Sequence, residues 1–292
     1  MTLPAADTRV VYPAGELTAR ARVLHVEPLG DGRAAVLTDV TSVHPLDPAW
    51  PDQPADRAWF ETAGGEKIPI VDAVVAATDG LALFVGDAVP VRKGTESWAF
   101  VVAHLVPEDA GIAEGDELTT AADEAFRDAV SAGHTACHLA ALALNAAVAE
   151  RWTKEPRRDS LGSPDFDSAA NSRSTILEYG SLDRYRLNKS LRRAGFDAAG
   201  FLDALQGLDA DVEARLAIWV GSAAPVRVEC EGEGLTDRRT WVCELPEGTA
   251  RIPCGGTHVR ALGEFGGIRT GFSVGEEGGS TVVDMSTAVT MR

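Results

Sequence analysis

Ala132-Gly-His-Thr-Ala-Cys-His-Leu-Ala-Ala-Leu-Ala-Leu-Asn145 is an Ala- and Leu-rich run with helical pattern, and it holds two histidines four positions apart. On a helix, positions i and i+4 share a face, so His134 and His138 aim two imidazoles at one point. A borderline metal such as zinc uses that geometry. A second pair with the same spacing, Cys254-Gly-Gly-Thr-His258, lies far downstream in a Gly-rich segment whose backbone can turn until both side chains converge. Together the pairs offer three nitrogens and one sulfur.

Taken alone, a His pair at this spacing also serves as the polar edge of a helix, and a lone cysteine is also a small core residue. The chain has six His and four Cys, and four of these ten residues fall in the two units. That concentration selects His134, His138, Cys254 and His258 as ligands of one zinc ion per chain.

The same residues carry a resemblance. His134-Thr-Ala-Cys-His138 opening a long helix, then Cys254-Gly-Gly-Thr-His258 and Gly266-Gly267-Ile268, resembles the editing domain shared by alanyl- and threonyl-tRNA synthetases. Free-standing relatives, the alanyl-tRNA editing proteins, carry that domain behind a small β domain. The resemblance covers residues 123–292 and extends more weakly toward the N-terminus. It implies an α+β fold and a zinc-dependent deacylase that hydrolyses amino acids wrongly esterified to tRNA, most plausibly serine or glycine on alanine tRNA. Editing proteins of this family have a Gly-rich segment ending in Gln-Pro and an Asp; here Gln53-Pro54-Ala55-Asp56 keeps the end, while Leu46-Asp47-Pro48-Ala49-Trp50-Pro51-Asp52 stands in place of the glycines. A Gln-Gly-Ser element of the synthetase domains is represented only by Leu161-Gly162-Ser163. Gln53 and Asp56 are thereby candidate substrate contacts.

At 292 residues and 45% hydrophobic content the chain can bury one large or two ordinary cores. The formal charge of -17 is spread along the sequence and reads as an acidic soluble surface. It argues against a large nucleic-acid footprint and against DNA as a partner. Residues 1–15 lack a basic then apolar leader, and no run approaches the roughly 18 apolar residues of a membrane span. A cytoplasmic protein with no membrane partner is expected. Cys137, Cys230, Cys243 and Cys254 then fit reduced thiols or ligands better than a disulfide framework.

Outward from the helix, residues 17–26 and 34–40 flank a Gly30-Asp31-Gly32 turn and read as a hairpin. Residues 68–77, 81–85 and 98–106 are further strand candidates, and five short strands with tight turns predict a small β barrel over residues 1–118. Residues 119–292 form the expected helix-on-antiparallel-sheet domain. Thr120 or Ala121 is expected to cap the long helix, with Asp123 and Glu124 in its first turn and a possible break at Gly133. Residues 157–174 read as loop or short strand edge, residues 197–220 as helix, and residues 225–230, 240–245, 269–274 and 280–285 as strands.

The one strongly basic stretch runs from Asp183 to Arg193. Its Arg184, Arg186, Lys189, Arg192 and Arg193 are candidates for the phosphates of an aminoacylated tRNA acceptor end, or else a solvated helix face. Thr135 and Thr257 flank ligands and are candidates for hydrogen-bonding a substrate hydroxyl or a ligand, with capping or packing as the alternative for each. No nucleophile elbow and no phosphate-binding Gly loop is found. Beside deacylation of charged tRNA, two alternatives fit the residues: a metal-dependent hydrolase of a small ester or amide, and a non-catalytic module stapled by zinc.

Overall fold

The computed structural model describes residues 3–292; Met1 and Thr2, at the head of the segment read above for a leader, lie outside the described residues. The fold is mixed α/β, with large antiparallel sheets and few helices. Two compact units divide it. The first comprises the chain up to Asp128 with Cys230–Arg239 and Gly255–Thr257, and the second comprises Ala129–Glu229, Thr240–Cys254 and His258–Arg292.

In the first unit the strands are β1 (Arg9–Val10), β2 (Thr18–Pro28), β3 (Arg33–Thr38), β4 (Val40–Thr41), β5 (Ala58–Glu61), β6 (Lys67–Ile70), β7 (Asp72–Thr78), β8 (Leu83–Val85), β9 (Ala99–Pro107) and β10 (Glu117–Ala122). β2 and β3 form the expected antiparallel hairpin. Gly30 and Gly32 in its turn sit at φ 77° and 82°, where a side chain would be strained. Eight strands join in one sheet, in the order β6-β5-β10-β2-β3-β9-β7-β8.

This arrangement corrects the expected five-strand barrel. Among the described residues β6 and β8 end the sheet with one hydrogen-bonded neighbour each, so the sheet does not close on itself. The difference lies in β5 and β10. β10 inserts between β5 and β2, with Thr120 opposite both Phe60 and Ala19. Thr120 is therefore a strand residue, and the helix that follows is capped by Asp123, whose Oδ1 accepts the Phe126 N–H at 2.9 Å.

Both faces of this sheet are covered. Val36, Phe60, Phe100 and Val102 pack in one core, while their neighbours Ala35, Leu37, Val101 and Ala103 pack in another. Successive side chains leave a strand on opposite faces, so two cores demand unbroken apolar runs such as residues 99–103.

Helix α1 (Glu124–Ala147) begins in the first unit and continues in the second. It is followed by α2 (Phe166–Ala170), β11 (Asn171–Leu177), β12 (Gly180–Arg186), α3 (Lys189–Ala194) and α4 (Ala198–Gly221). Then come β13 (Val226–Cys230), β14 (Arg239–Leu245), β15 (Gly248–Pro253), β16 (Phe265–Glu277) and β17 (Ser280–Met291). They make a four-stranded sheet, β11-β12-β17-β16, and a three-stranded sheet, β13-β14-β15. β11 is the edge strand of the first, so residues 171–174, at the end of the stretch expected as loop or short strand edge, are strand edge. α4 starts at an Asp197 cap and is interrupted by a kink at Gln206 and Gly207, the latter at φ 104°.

α1 shows no break at Gly133. A Cβ there would come within 2.3 Å of the Leu177 carbonyl oxygen and 2.4 Å of that of Gly180, so glycine is required by the close passage of β11 and β12. Leu139, Leu142, Ala143 and Leu144 of α1 then enter a core with Phe166, Phe201, Leu216, Trp219, Trp241 and Phe265. Among the described residues no helix is long and apolar enough to cross a membrane.

Candidate metal centre

His134 and His138 project from one face of α1, with ring centroids 4.7 Å apart. Cys254 stands one residue beyond β15, whose Pro253 is paired with Thr240 of β14. His258 precedes a segment tied to β13, where the Val226 N–H donates to the Arg260 carbonyl at 2.8 Å. All four residues belong to the second unit. Neither Gly255 nor Gly256 adopts the left-handed region, so the chain turns between the two ligands without using the conformation that only glycine favours.

The donor atoms converge. One ligand atom from each of His134, His138, Cys254 and His258 lies within 4.8 Å of every other, and the group can hold a metal ion. Cys254 Sγ is 3.4 Å from His134 Nε2 and 3.3 Å from His258 Nε2. The fourth donor, His138 Nε2, is buried with no hydrogen-bond partner. An orphaned buried nitrogen aimed among two other imidazoles and a sulfur is uncompensated unless a cation joins it. Burial pushes the His138 pKa down to about 4, which keeps its imidazole neutral and able to ligate.

Packing around the donors holds their directions. Trp241, fully buried in β14, stands 5.1 Å from the His138 ring and 6.0 Å from that of His258. It was not singled out in the sequence, where only its alternation with Cys243 in an apolar run marks it as inward-facing. Thr135 Oγ1 lies 3.2 Å from His258 Nδ1 and also accepts the Val259 N–H at 3.2 Å. With a metal on His258 Nε2, Nδ1 would carry the proton and donate to Thr135. That fixes tautomer and ring orientation together. Thr135 is thus engaged with a ligand, not facing outward.

The remaining candidates are dispersed. Within the first unit Gln53 grips Thr257 twice: its Nε2 donates to Thr257 Oγ1 at 3.0 Å, and its Oε1 accepts the Thr257 N–H at 3.0 Å. Thr257 is the residue before His258. Asp56 is buried in an ion pair with Arg127 and accepts the His44 N–H, while Arg127 also donates to the Ser42 carbonyl at 2.8 Å. Arg127, another residue not foreseen, is the local counter-charge.

The basic stretch is not one helix face. Arg184 and Arg186 lie in β12, and Lys189, Arg192 and Arg193 in α3. Arg184 is bidentate to Asp284, at 2.7 and 2.9 Å, and bonds Glu277 at 3.1 Å, so its charge is already compensated.

On its other polar face α1 carries Cys137, buried and 3.3 Å from Asp183 Oδ1. Burial, with Asp183 close by, pushes the thiol pKa well above its ordinary range, so Cys137 stays a protonated donor.

No family model matches this sequence, and no curated protein matches it.

Proposed function

We propose that this chain is a zinc-dependent hydrolase that removes a wrongly attached amino acid, serine or glycine, from alanine tRNA. The observation that carries the metal is the convergence of His134, His138, Cys254 and His258 around an unpartnered buried nitrogen. Bond lengths of about 2.3 Å to sulfur and 2.05 Å to nitrogen set a tetrahedral S···N edge of about 3.6 Å. The two S···N distances of 3.3 and 3.4 Å lie within about 0.3 Å of that edge, so the ligands need little movement to admit an ion. Three imidazoles and a thiolate suit zinc better than a hard cation. The substrate class follows from the resemblance of the two His/Cys-x-x-x-His units to the synthetase editing domain.

An aminoacyl ester is an activated acyl group, and water attack at its carbonyl carbon breaks the C–O bond to the terminal ribose. Free amino acid and a ribose hydroxyl are released. Zinc, when bound, lowers the pKa of a water and polarises the carbonyl. His134, His138 and His258 would hold the ion through Nε2, and Thr135 would fix the His258 tautomer. The Gln53 grip on Thr257 restrains the residue preceding that ligand. Cys254 completes a set of four, and four protein ligands are the mark of structural zinc, whereas catalytic sites keep a position open. That donor count favours the stapled module as the second reading.

The test is release of amino acid from serine- and glycine-charged alanine tRNA by the purified chain, before chelation, after chelation, and with zinc returned. Zinc-dependent release is expected from a chain that keeps its fold when stripped. A stripped chain that unfolds, with no release from charged tRNA in either state, identifies the zinc as a staple and overturns the proposal.

A further inference from the structure

We propose that the cleft between α3 and the β16–β17 turn in the second unit binds RNA phosphodiesters, with Lys189 and Arg192 as its charged contacts. The choice of RNA over other polyanions rests on the deacylase reading, whereas the anion preference stands on the cleft itself.

The cleft measures about 490 Å³ and is lined by Leu187, Asn188, Lys189, Ser190, Arg192, Gly279, Ser280 and Thr281, with no carboxylate. Two cationic and three hydroxyl-bearing residues thus line it, and one nitrogen of Arg192 donates to the Leu187 carbonyl at 3.2 Å. A hydrogen bond of 3.0 Å from the Leu187 N–H to the Thr281 carbonyl ties the two walls together. The opposite lip is a two-residue turn, Gly278-Gly279, with φ 56° and 70°. Both values are positive, as in the tightest hairpin turns. No side chain stands there, so a phosphate can reach the bare backbone.

Charge accounting points the same way. From Arg184 to Phe196 the sequence has five basic residues and no acid. Arg184 is paired, but among the described residues Arg186, Lys189, Arg192 and Arg193 make no ion pair. In a chain with 44 acidic and 27 basic residues, carboxylates are in excess, so neighbouring cations left without any are the exception. Arg186 reaches toward the turn, 3.6 Å from where a Cβ on Gly278 would stand, and its Nε is buried without a partner. Lys154 Nζ donates to the Arg193 carbonyl at 2.8 Å and adds a further cation beside α3. The acids nearest the Gly278-Gly279 turn in sequence are Glu276 and Glu277, and both Glu277 and Asp284, three residues past Thr281, are held by Arg184. A lining whose one apolar side chain, Leu187, is buried gives an inserting lipid or an apolar peptide nothing to grip. The chemistry fits phosphates strung on a polar backbone.

The test is binding of uncharged alanine tRNA, followed by fluorescence anisotropy over a range of salt concentrations, for the wild-type chain and for Lys189→Gln/Arg192→Gln. Melting temperature and bound zinc, read on the same samples, report folding. Wild-type affinity should fall with salt, and the double variant should bind at least about tenfold more weakly at low salt. Its log–log salt slope should be smaller by roughly two units, one for each lost phosphate contact. A folded double variant with wild-type affinity and slope, or a wild-type chain that binds no RNA at low salt, overturns the inference. The two readings fail separately. A chain that deacylates tRNA while the variant still binds normally keeps its function and loses this site. Lysine-dependent binding without amino-acid release keeps the site and removes the deacylase.

Discussion

Helix α1 shows two polar faces only one position apart, and they solve the problem of buried polarity in opposite ways. Cys137 meets Asp183, which also accepts from Ser174 Oγ at 2.6 Å and Ser181 Oγ at 2.9 Å. Donors and acceptor are all supplied, and the cluster closes on itself. His134 and His138 meet His258 and Cys254, and the group contains no carboxylate. Cys254 Sγ stands within hydrogen-bond distance of His134 Nε2 and His258 Nε2, while the buried His138 Nε2 is left without a partner. One face is satisfied within the protein, and the other keeps an acceptor that a cation can take up. Burial of polar side chains is common to both, so burial alone does not mark a ligand site; the balance of donors and acceptors does.

The largest effect should come from breaking the incomplete face. His138→Ala removes a ligand held between α1 and Trp241, and His134→Ala removes the other arm of the preorganised pair. Each is expected to lower zinc affinity by well over tenfold, measured by competition with a chromophoric chelator, and to lower deacylation by at least about tenfold. Zinc retained at full affinity by both variants would break the comparison at its root.

Next in size is Gly133→Ala, on the Cys137 side of the helix. The added methyl would overlap backbone oxygens at 2.3 and 2.4 Å, and backbone cannot step aside as a side chain can. A cost of about 3 kcal/mol is expected in denaturant unfolding, the upper end of ordinary overpacking. Because His134 is the next residue, zinc affinity should fall with it, although no ligand has been touched. Unchanged stability would mean that helix and strands do not pass as closely as described.

Much of this contrast was legible in the sequence because it is local. The i, i+4 spacing of His134 and His138 is a property of helix geometry, and the Cys254/His258 pair repeats that spacing where a Gly-rich turn is easy. The helix over residues 197–220 and the hairpin around Gly30-Asp31-Gly32 were legible for the same reason. What escaped depended on partners far away in the chain. β10 pairs with strands near residues 20 and 60, and nothing in Glu117–Ala122 itself announces a place between them. Arg184 read as a free cation because Asp284 is 100 positions distant. Gly133 read as a helix break because a lone glycine is usually a weakness, and its crowding neighbours, Leu177 and Gly180, lie more than forty residues on.

A subtler contrast is the response to pH. Asp167 extends the closed face, accepting from Tyr185 Oη at 3.1 Å and Asn171 Nδ2 at 3.2 Å. Burial first, with Asp183 adding repulsion, raises its pKa from 3.8 to about 6. Between those values the folded chain keeps a proton that the unfolded chain has released. Stability therefore falls as pH rises from about 4 to 6 and is level above that. Asp167→Asn should abolish this slope, on the order of 2 kcal/mol, while keeping the accepting oxygen. Urea unfolding of both proteins at pH 4.5, 5.5 and 6.5 makes the check, and equal slopes would show that Asp167 does not hold the proton.

The smallest effect is expected at Cys137, and it is the most diagnostic. Cys137 neighbours His138 in sequence and carries a sulfur, so as a bare residue type it is as good a ligand as Cys254. Its Sγ, however, is spent on Asp183, and burial keeps the thiol protonated, whereas a metal requires the thiolate. Cys137→Ala removes one weak donor and a small apolar volume. A stability loss of about 1 kcal/mol is expected, since Ser174 and Ser181 still satisfy Asp183. Zinc affinity and the rate of deacylation should stay within about twofold of wild type, while Cys254→Ala changes both, since it takes away the only sulfur among the four donors. A Cys137 variant as impaired in zinc binding as the Cys254 variant would mean that the thiol beside Asp183 reaches the metal, and the division of α1 into a closed and an open face would fall.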